Sequence, residues 1–198
     1  MDFKALVVIM MSAVLVNNYV LRQFLGVCPF LGVSKDLKSS VGMGCAVMFV
    51  MLLGATVTWP IQVFLLNVSG LEFMQTVVFI LVIATLVQLV EIILKKYIHA
   101  LYESLGVYLP LMTTNCAVLA VTISNVNHGY SFAEAFVSAL GAGLGFLLAM
   151  VVFTGVREHI EGATPPESFK GVPLTLISAA IISLAFFGFE GVIDNLFS

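Results

Sequence analysis

Four stretches of this chain, Val41–Leu66, Phe73–Leu94, Phe132–Val156 and Val172–Ile193, are almost wholly apolar and hold at most one acidic residue each. A crossing of the ~30 Å hydrocarbon core takes about 20 such residues as a helix. Hydrophobic residues make up 61% of the 198 positions, charged residues only 10%, and the mean hydropathy is +1.12. Soluble domains carry about 25% charged residues, and none of this size has interior enough to hide so much apolar surface. The chain is therefore an all-α integral membrane protein with the lipid bilayer as its solvent. Three cysteines, an odd count, do not make a disulfide scaffold. Eight basic against eleven acidic residues, with no basic cluster, give no nucleic-acid footprint.

Two further apolar segments are interrupted. Ala5–Val16 stops at Asn17-Asn18 and Arg22-Gln23, and the chain resumes as Phe24–Val33 with Gly26, Pro29 and Gly32 inside it. Leu105–Met112 contains Gly106 and Pro110 and runs through Thr113-Thr114-Asn115 into Cys116–Ile123. A dozen helical residues reach only about 18 Å, so each reads as one crossing made of two pieces. The expectation is six crossings, with the first and fourth broken near the mid-membrane.

Lys35 and Lys38 follow the first crossing, Lys95 and Lys96 the third, and Arg157 and Lys170 flank the loop after the fifth. On the other side Lys4 is the sole basic residue. The positive-inside rule places the rich side in the cytoplasm and both termini outside. A signal peptide over Lys4 and Ala5–Val16 is the competing reading, but no small-x-small cleavage site precedes Asn17.

The two broken crossings resemble each other. Leu25-Gly26-Val27 recurs as Leu105-Gly106-Val107, and the pattern C-x-x-L-x-V-[ST] occurs at Cys28–Ser34 and again at Cys116–Thr122. The following helices carry Gly42-Met-Gly44 and Gly143-Leu-Gly145. Three crossings per half make the halves, residues 1–96 and 97–198, inverted relative to one another. Paired interrupted segments in inverted halves point to a binding site at mid-membrane, because unwound backbone there must be buried in protein or line a cavity.

Each broken segment carries one cysteine, Cys28 or Cys116. For Cys45, in an uninterrupted Gly-rich helix, the expectation is a small buried packing residue. At a helix break, by contrast, free N–H groups and a helix terminus stabilise a thiolate and hydrogen-bond sulfide. An iron–sulfur cluster or zinc site needs four ligands, and this chain supplies two in equivalent positions, so a similar second subunit would bring the others. Haem needs axial His or Met facing the bundle, and His99, His128 and His159 fall in loops or at helix ends. Among intramembrane polar residues, Gln88 with Glu91 is a candidate proton or sodium site, although Glu91 also suits an i,i+4 pair with Lys95. Thr113, Thr114 and Asn115 either support broken backbone or line an ion path. Glu72 and Glu134 are placed to begin helices. No Gly-rich nucleotide fingerprint follows a strand.

The strings Asn17-Asn18-Tyr-Val-Leu, Phe24-Leu-Gly-Val-Cys28-Pro-Phe-Leu-Gly-Val-Ser34-Lys35 and Leu109-Pro-Leu-Met-Thr-Thr-Asn115-Cys116-Ala-Val-Leu resemble the A subunits of bacterial Rnf complexes. That family is paralogous to the E subunit of the sodium-translocating NADH:quinone reductase. The resemblance covers nearly the whole chain, with further matches at Gln88 to Glu91, Arg157-Glu158 and Ser183–Phe189. It implies a six-crossing inverted-repeat fold and a partner of the same fold and opposite topology, the Rnf E subunit. It implies a [2Fe-2S] cluster between the two, with Cys28 and Cys116 as the ligands from this chain. It also implies a ferredoxin:NAD oxidoreductase complex in the bacterial cytoplasmic (inner) membrane that drives Na⁺ or H⁺ outward. The other subunits would be B, C, D and G, and flavins, nucleotide and ferredoxin would bind there. A mid-membrane cluster would divide the ~30 Å slab into two electron hops of roughly 15 Å. A cofactor-free secondary transporter or a scaffold subunit is the alternative, since fold alone does not separate these functions.

Overall fold

A computed structural model of the chain describes residues 3–33, 37–66, 74–97, 115–161 and 171–188. Every regular element among them is helical: α1 (Phe3–Met11), α2 (Val27–Val33), α3 (Leu37–Ile61), α4 (Gln75–Tyr97), α5 (Cys116–Asn127), α6 (Phe132–Glu161) and α7 (Val172–Phe187). Two π-helical turns, Ser12–Val16 and Gln62–Leu66, extend α1 and α3. The second follows Pro60, whose missing N–H and bulky ring disturb the i→i−4 ladder.

Leu37–Phe64, Gln75–Ile93 and Phe132–Ile160 are long and apolar enough to cross a membrane. Leu6–Val16, Cys116–Asn127 and Val172–Phe187 are shorter apolar helices. The first interruption falls where the sequence places it: helix ends at Val16, a turn region follows, and helix resumes at Val27. In the expected fourth crossing Leu105–Met112, Thr113 and Thr114 lie outside the described residues, and α5 begins at Cys116. In the expected span to Ile193 the helix runs to Phe187 and ends on Gly188, and residues 189–193, like Glu72 and His99, lie outside them as well.

The centre is the pair α3–α6, the most extensive helix contact in the fold. These are the helices that carry the two Gly-x-Gly motifs. A Cβ on Gly44 would stand 3.1 Å from Leu147 Cδ1, and one on Gly143 would stand 2.5 Å from Met48 Cγ. The missing side chains let the two backbones approach, the means by which helices associate in lipid. Met43, Val47 and Met51 of α3 and Phe146, Met150 and Phe153 of α6 fill the seam. A buried Ser40 Oγ···Thr154 Oγ1 bond of 2.7 Å also joins these helices.

α4 lies outside this pair. It buries the helical stripe Phe79, Ile83 and Val87 and turns Val77, Ile80, Leu81, Leu89 and Ile92 outward. Glu134 does stand at a helix start: its Oε2 accepts from the N–H and hydroxyl of Ser131 at 2.9 and 2.8 Å, closing the first turn of α6. His128 sits at the C-terminal end of α5.

Candidate functional site

The interruption after Val16 is held by Asn18, which is buried. Its Oδ1 accepts the N–H groups of Val20 and Leu21 at 3.0 and 3.3 Å, and its Nδ2 donates to the carbonyls of Gly145 and Val14 at 2.8 and 3.3 Å. One side chain thus satisfies unwound backbone that lipid would leave unpaired. Its bond to Gly145 is reached because Gly145 has no side chain: a Cβ there would come within 3.2 Å of Asn18 Nδ2. The sequence reading passes over this role, although a paired Asn at an apolar break is the available signal. Ser183 Oγ of α7 donates to the Leu21 carbonyl, a second tie on the same segment.

The chain then turns sharply. Phe24 has φ +54° and Gly26 φ +79°, the left-handed region that costs a side chain about 1–2 kcal/mol. Phe24 adopts it with its ring half exposed. Gly26 lacks room for a side chain in addition. A Cβ would stand 3.0 Å from Phe146 Cε2, 3.1 Å from Asn115 Oδ1 and 3.2 Å from Ala117 Cβ. This close approach allows the Gly26 N–H to donate to Cys116 Sγ at 3.0 Å. The two interrupted segments, 90 residues apart, meet here.

Cys28 is the second residue of α2, two positions beyond Gly26, and its side chain is exposed on the surface of the chain. Cys116 is the first residue of α5 and is partly exposed. Asn115 caps that helix, its Oδ1 accepting from Ala117 N–H at 3.0 Å. The surroundings of this turn are apolar: Ala117 and Phe146, which crowd Gly26, are both buried. The far end of α2 is tied to α6 by Arg157 Nη1, which donates to the Leu31 carbonyl at 3.1 Å. A cation at the C-terminal end of a helix also suits its dipole.

All three cysteines are free thiols. Among the described residues no three His, Cys, Asp or Glu side chains gather as a metal site. A metal group held at Cys28 and Cys116 therefore requires ligands from elsewhere. Asn115 Nδ2 is buried and finds no hydrogen-bond partner among the described residues. One exposed and one partly exposed cysteine on adjoining segments, with amide donors beside them, are a donor set that fits an iron–sulfur cluster.

Cys45 departs from its expectation. It is exposed rather than buried, because α3 turns Met43, Gly44 and Val47 inward and leaves position 45 on the outer face. The suggested pairing of Gln88 with Glu91 is not gathered in the interior. Glu91 continues the inward stripe of α4 and is half-buried, whereas Gln88 is exposed. Of the three residues expected to line or support the second break, Asn115 is at the site.

A separate cavity of about 590 Å³ is lined by residues that include Trp59, Gln62, Gln75, Asn125, Tyr130 and Glu134; Asn125 stands at the end of α5 away from Cys116, and neither Cys116 nor Cys28 lines it. Trp59 Nε1 donates to the Tyr130 carbonyl at 3.0 Å. Burial pushes the Tyr130 phenol above its usual value of 10.0, and the nearby Glu134 charge adds to that.

The chain has relatives among known proteins. A family model described as "Rnf-Nqr subunit, membrane protein" matches residues 6–193. The chain is 51% identical over 186 residues, 94% of its length and 97% of the relative's, to a protein of Acetobacterium woodii. That protein is named as the A subunit of a Na⁺-translocating ferredoxin:NAD⁺ oxidoreductase complex. The chain is 50% identical over 192 residues, 97% of its length and all of the relative's, to the A subunit of an ion-translocating oxidoreductase complex of Syntrophotalea carbinolica. A protein of the same name from Serratia proteamaculans is 50% identical over 182 residues, 92% of this chain and 94% of that one. With its interrupted first segment, its paired cysteine motifs and this likeness over nearly its whole length, the chain belongs to the Rnf-Nqr family of membrane subunits.

Proposed function

We propose that this chain is a membrane subunit of an ion-translocating ferredoxin:NAD oxidoreductase of the bacterial cytoplasmic membrane, and that with a second chain of the same fold and opposite topology it holds a [2Fe-2S] cluster near mid-membrane. Cys28 and Cys116 are its two ligands from this side; the partner, the Rnf E subunit, brings the other two. In the bilayer the chain makes six crossings in two inverted halves, 1–96 and 97–198, with both termini outside. Flavins, nucleotide and ferredoxin bind on other subunits, the B, C, D and G chains, and the coupled ion is Na⁺ or H⁺. When bound, the cluster supplies a one-electron relay between the two faces of the membrane.

The observation that carries this reading is the Gly26 N–H···Sγ Cys116 bond. It joins the two cysteine segments while Cys28 stays exposed and Cys116 partly exposed on the chain's own surface, as ligands shared with a second subunit must. Gly26 orients the Cys116 sulfur, Asn115 starts the helix that carries it, and the buried Ala117 and Phe146 exclude water beside it.

The test is iron content and the reduced-state EPR spectrum of the purified complex, compared with Cys28→Ser and Cys116→Ser. One signal and its iron are expected to vanish in both variants while the subunits stay assembled. An unchanged spectrum with unchanged iron would overturn the cluster and leave a cofactor-free transporter or scaffold in its place.

A further inference from the structure

We infer that Asn115 is a positioning residue with two separate duties: its oxygen caps α5, and its amide nitrogen is held in reserve as a hydrogen-bond donor to a sulfur of the bound cluster, raising the cluster's reduction potential. This rests on the cluster reading above and assigns to this chain a control over potential.

Asn115 is only 4% exposed. Because Oδ1 accepts from the Ala117 N–H at 3.0 Å, the orientation of the amide is set, and Nδ2 is the end without a partner among the described residues. Buried donors are nearly always satisfied, and leaving one unpaired costs about 1–3 kcal/mol. A helix start does not require that penalty, since Ser or Asp caps as well as Asn and brings no unused N–H₂. The unpaired donor lies in the residue directly before Cys116, whose own sulfur already takes the Gly26 N–H. The same side chain packs against the Gly26 turn through its engaged end, Asn115 Oδ1 being 3.1 Å from the place of a Gly26 Cβ. Two N–H donors thus occur together at the junction of the cysteine segments, one engaged with sulfur and one unengaged. An acceptor arriving there is a ligating thiolate or an inorganic sulfide. Both gain negative charge on reduction, so a donor to either favours the reduced state and raises the potential.

Two variants separate this duty from capping. Asn115→Asp keeps an oxygen for the Ala117 N–H and replaces the donor by an acceptor; Asn115→Ser keeps a capping oxygen and withdraws the amide. In the purified complex, iron content is measured first and the EPR signal is then titrated against potential. The expected result is wild-type iron in both variants, with the reduction equilibrium constant lowered at least tenfold in Asn115→Asp, a fall of about 59 mV for one electron, and a smaller fall in Asn115→Ser. As a readout on the unmutated protein, [¹⁵N]asparagine labelling is expected to give a ¹⁵N hyperfine coupling at the reduced cluster that Asn115→Ser removes. Wild-type potentials in both variants, or no such coupling in the wild type, overturn the inference and leave the cluster reading intact. Absence of any cluster from the wild-type complex overturns both.

Discussion

The Gly26 N–H donates to the Cys116 sulfur across 3.0 Å, and it reaches that sulfur only because residue 26 has a left-handed backbone and no side chain. The contact couples two segments that share a cysteine pattern but lie in different halves of the chain. Whatever moves one segment acts on the thiol of the other.

Gly26→Ala is therefore expected to disturb the site doubly. The left-handed φ alone costs a residue with Cβ about 1–2 kcal/mol, and the new methyl meets Phe146, Asn115 and Ala117 at 3.0–3.2 Å. Thermal unfolding of the purified complex should show a lower midpoint together with lower iron content. A variant that retains both would show that the turn relaxes without moving Cys116.

Asn18→Leu strips the first break of its support. The Gly145 carbonyl and the N–H groups of Val20 and Leu21 lose their partner in a buried setting, and each such loss costs about 1–3 kcal/mol. We expect little or no folded, monodisperse complex on size-exclusion chromatography. Asn18→Asp keeps the acceptor for Val20 and Leu21 while losing the donor to Gly145, and should yield an intermediate amount.

Gly143→Ala should separate α3 from α6, since its Cβ would stand 2.5 Å from Met48 Cγ and 3.0 Å from Met48 Cα. Overpacking of this kind costs about 1–3 kcal/mol. Gly42→Ala and Gly155→Ala, where a Cβ meets nothing within 4 Å, are the controls and should leave the unfolding midpoint unchanged or slightly raised. Equal losses at all three positions would refute close α3–α6 approach as the cause.

Cys45→Ser changes an exposed position on the outer face of α3 and is expected to leave iron, spectrum and stability as in the wild type. This differs from the predicted loss of signal in Cys28→Ser and Cys116→Ser. Loss of signal in Cys45→Ser as well would show that the three cysteines are not separable by position.

Much of this was legible along the chain. Uninterrupted apolar runs mark α3, α4 and α6, and Asn17-Asn18 with Gly26 marks the place where the first apolar segment breaks. Glu134 marks the start of α6, where its carboxylate accepts from Ser131. These signals are local, carried by helix propensity, turn chemistry and hydropathy. The outward position of Cys45 was not legible, because α3 is apolar on every side. In lipid the exterior is as apolar as the interior, so hydrophobicity does not indicate which face turns inward. The four-bond role of Asn18 was equally hidden, since its strongest partner, the Gly145 carbonyl, lies 127 residues away.

Consecutive residues were enough to assign this chain to a membrane, to mark its long apolar helices, to find the break in the first segment and to pair the two cysteine motifs. That the motifs touch, through Gly26 and Cys116, and that the buried Asn115 amide nitrogen has no partner among the described residues, came from the folded chain alone. Bilayer thickness and local hydrogen bonding act on neighbours in sequence. The meeting of the two segments depends instead on how closely α3 and α6 pack and on what α5 and α7 place against the break, distances that no single stretch of sequence contains.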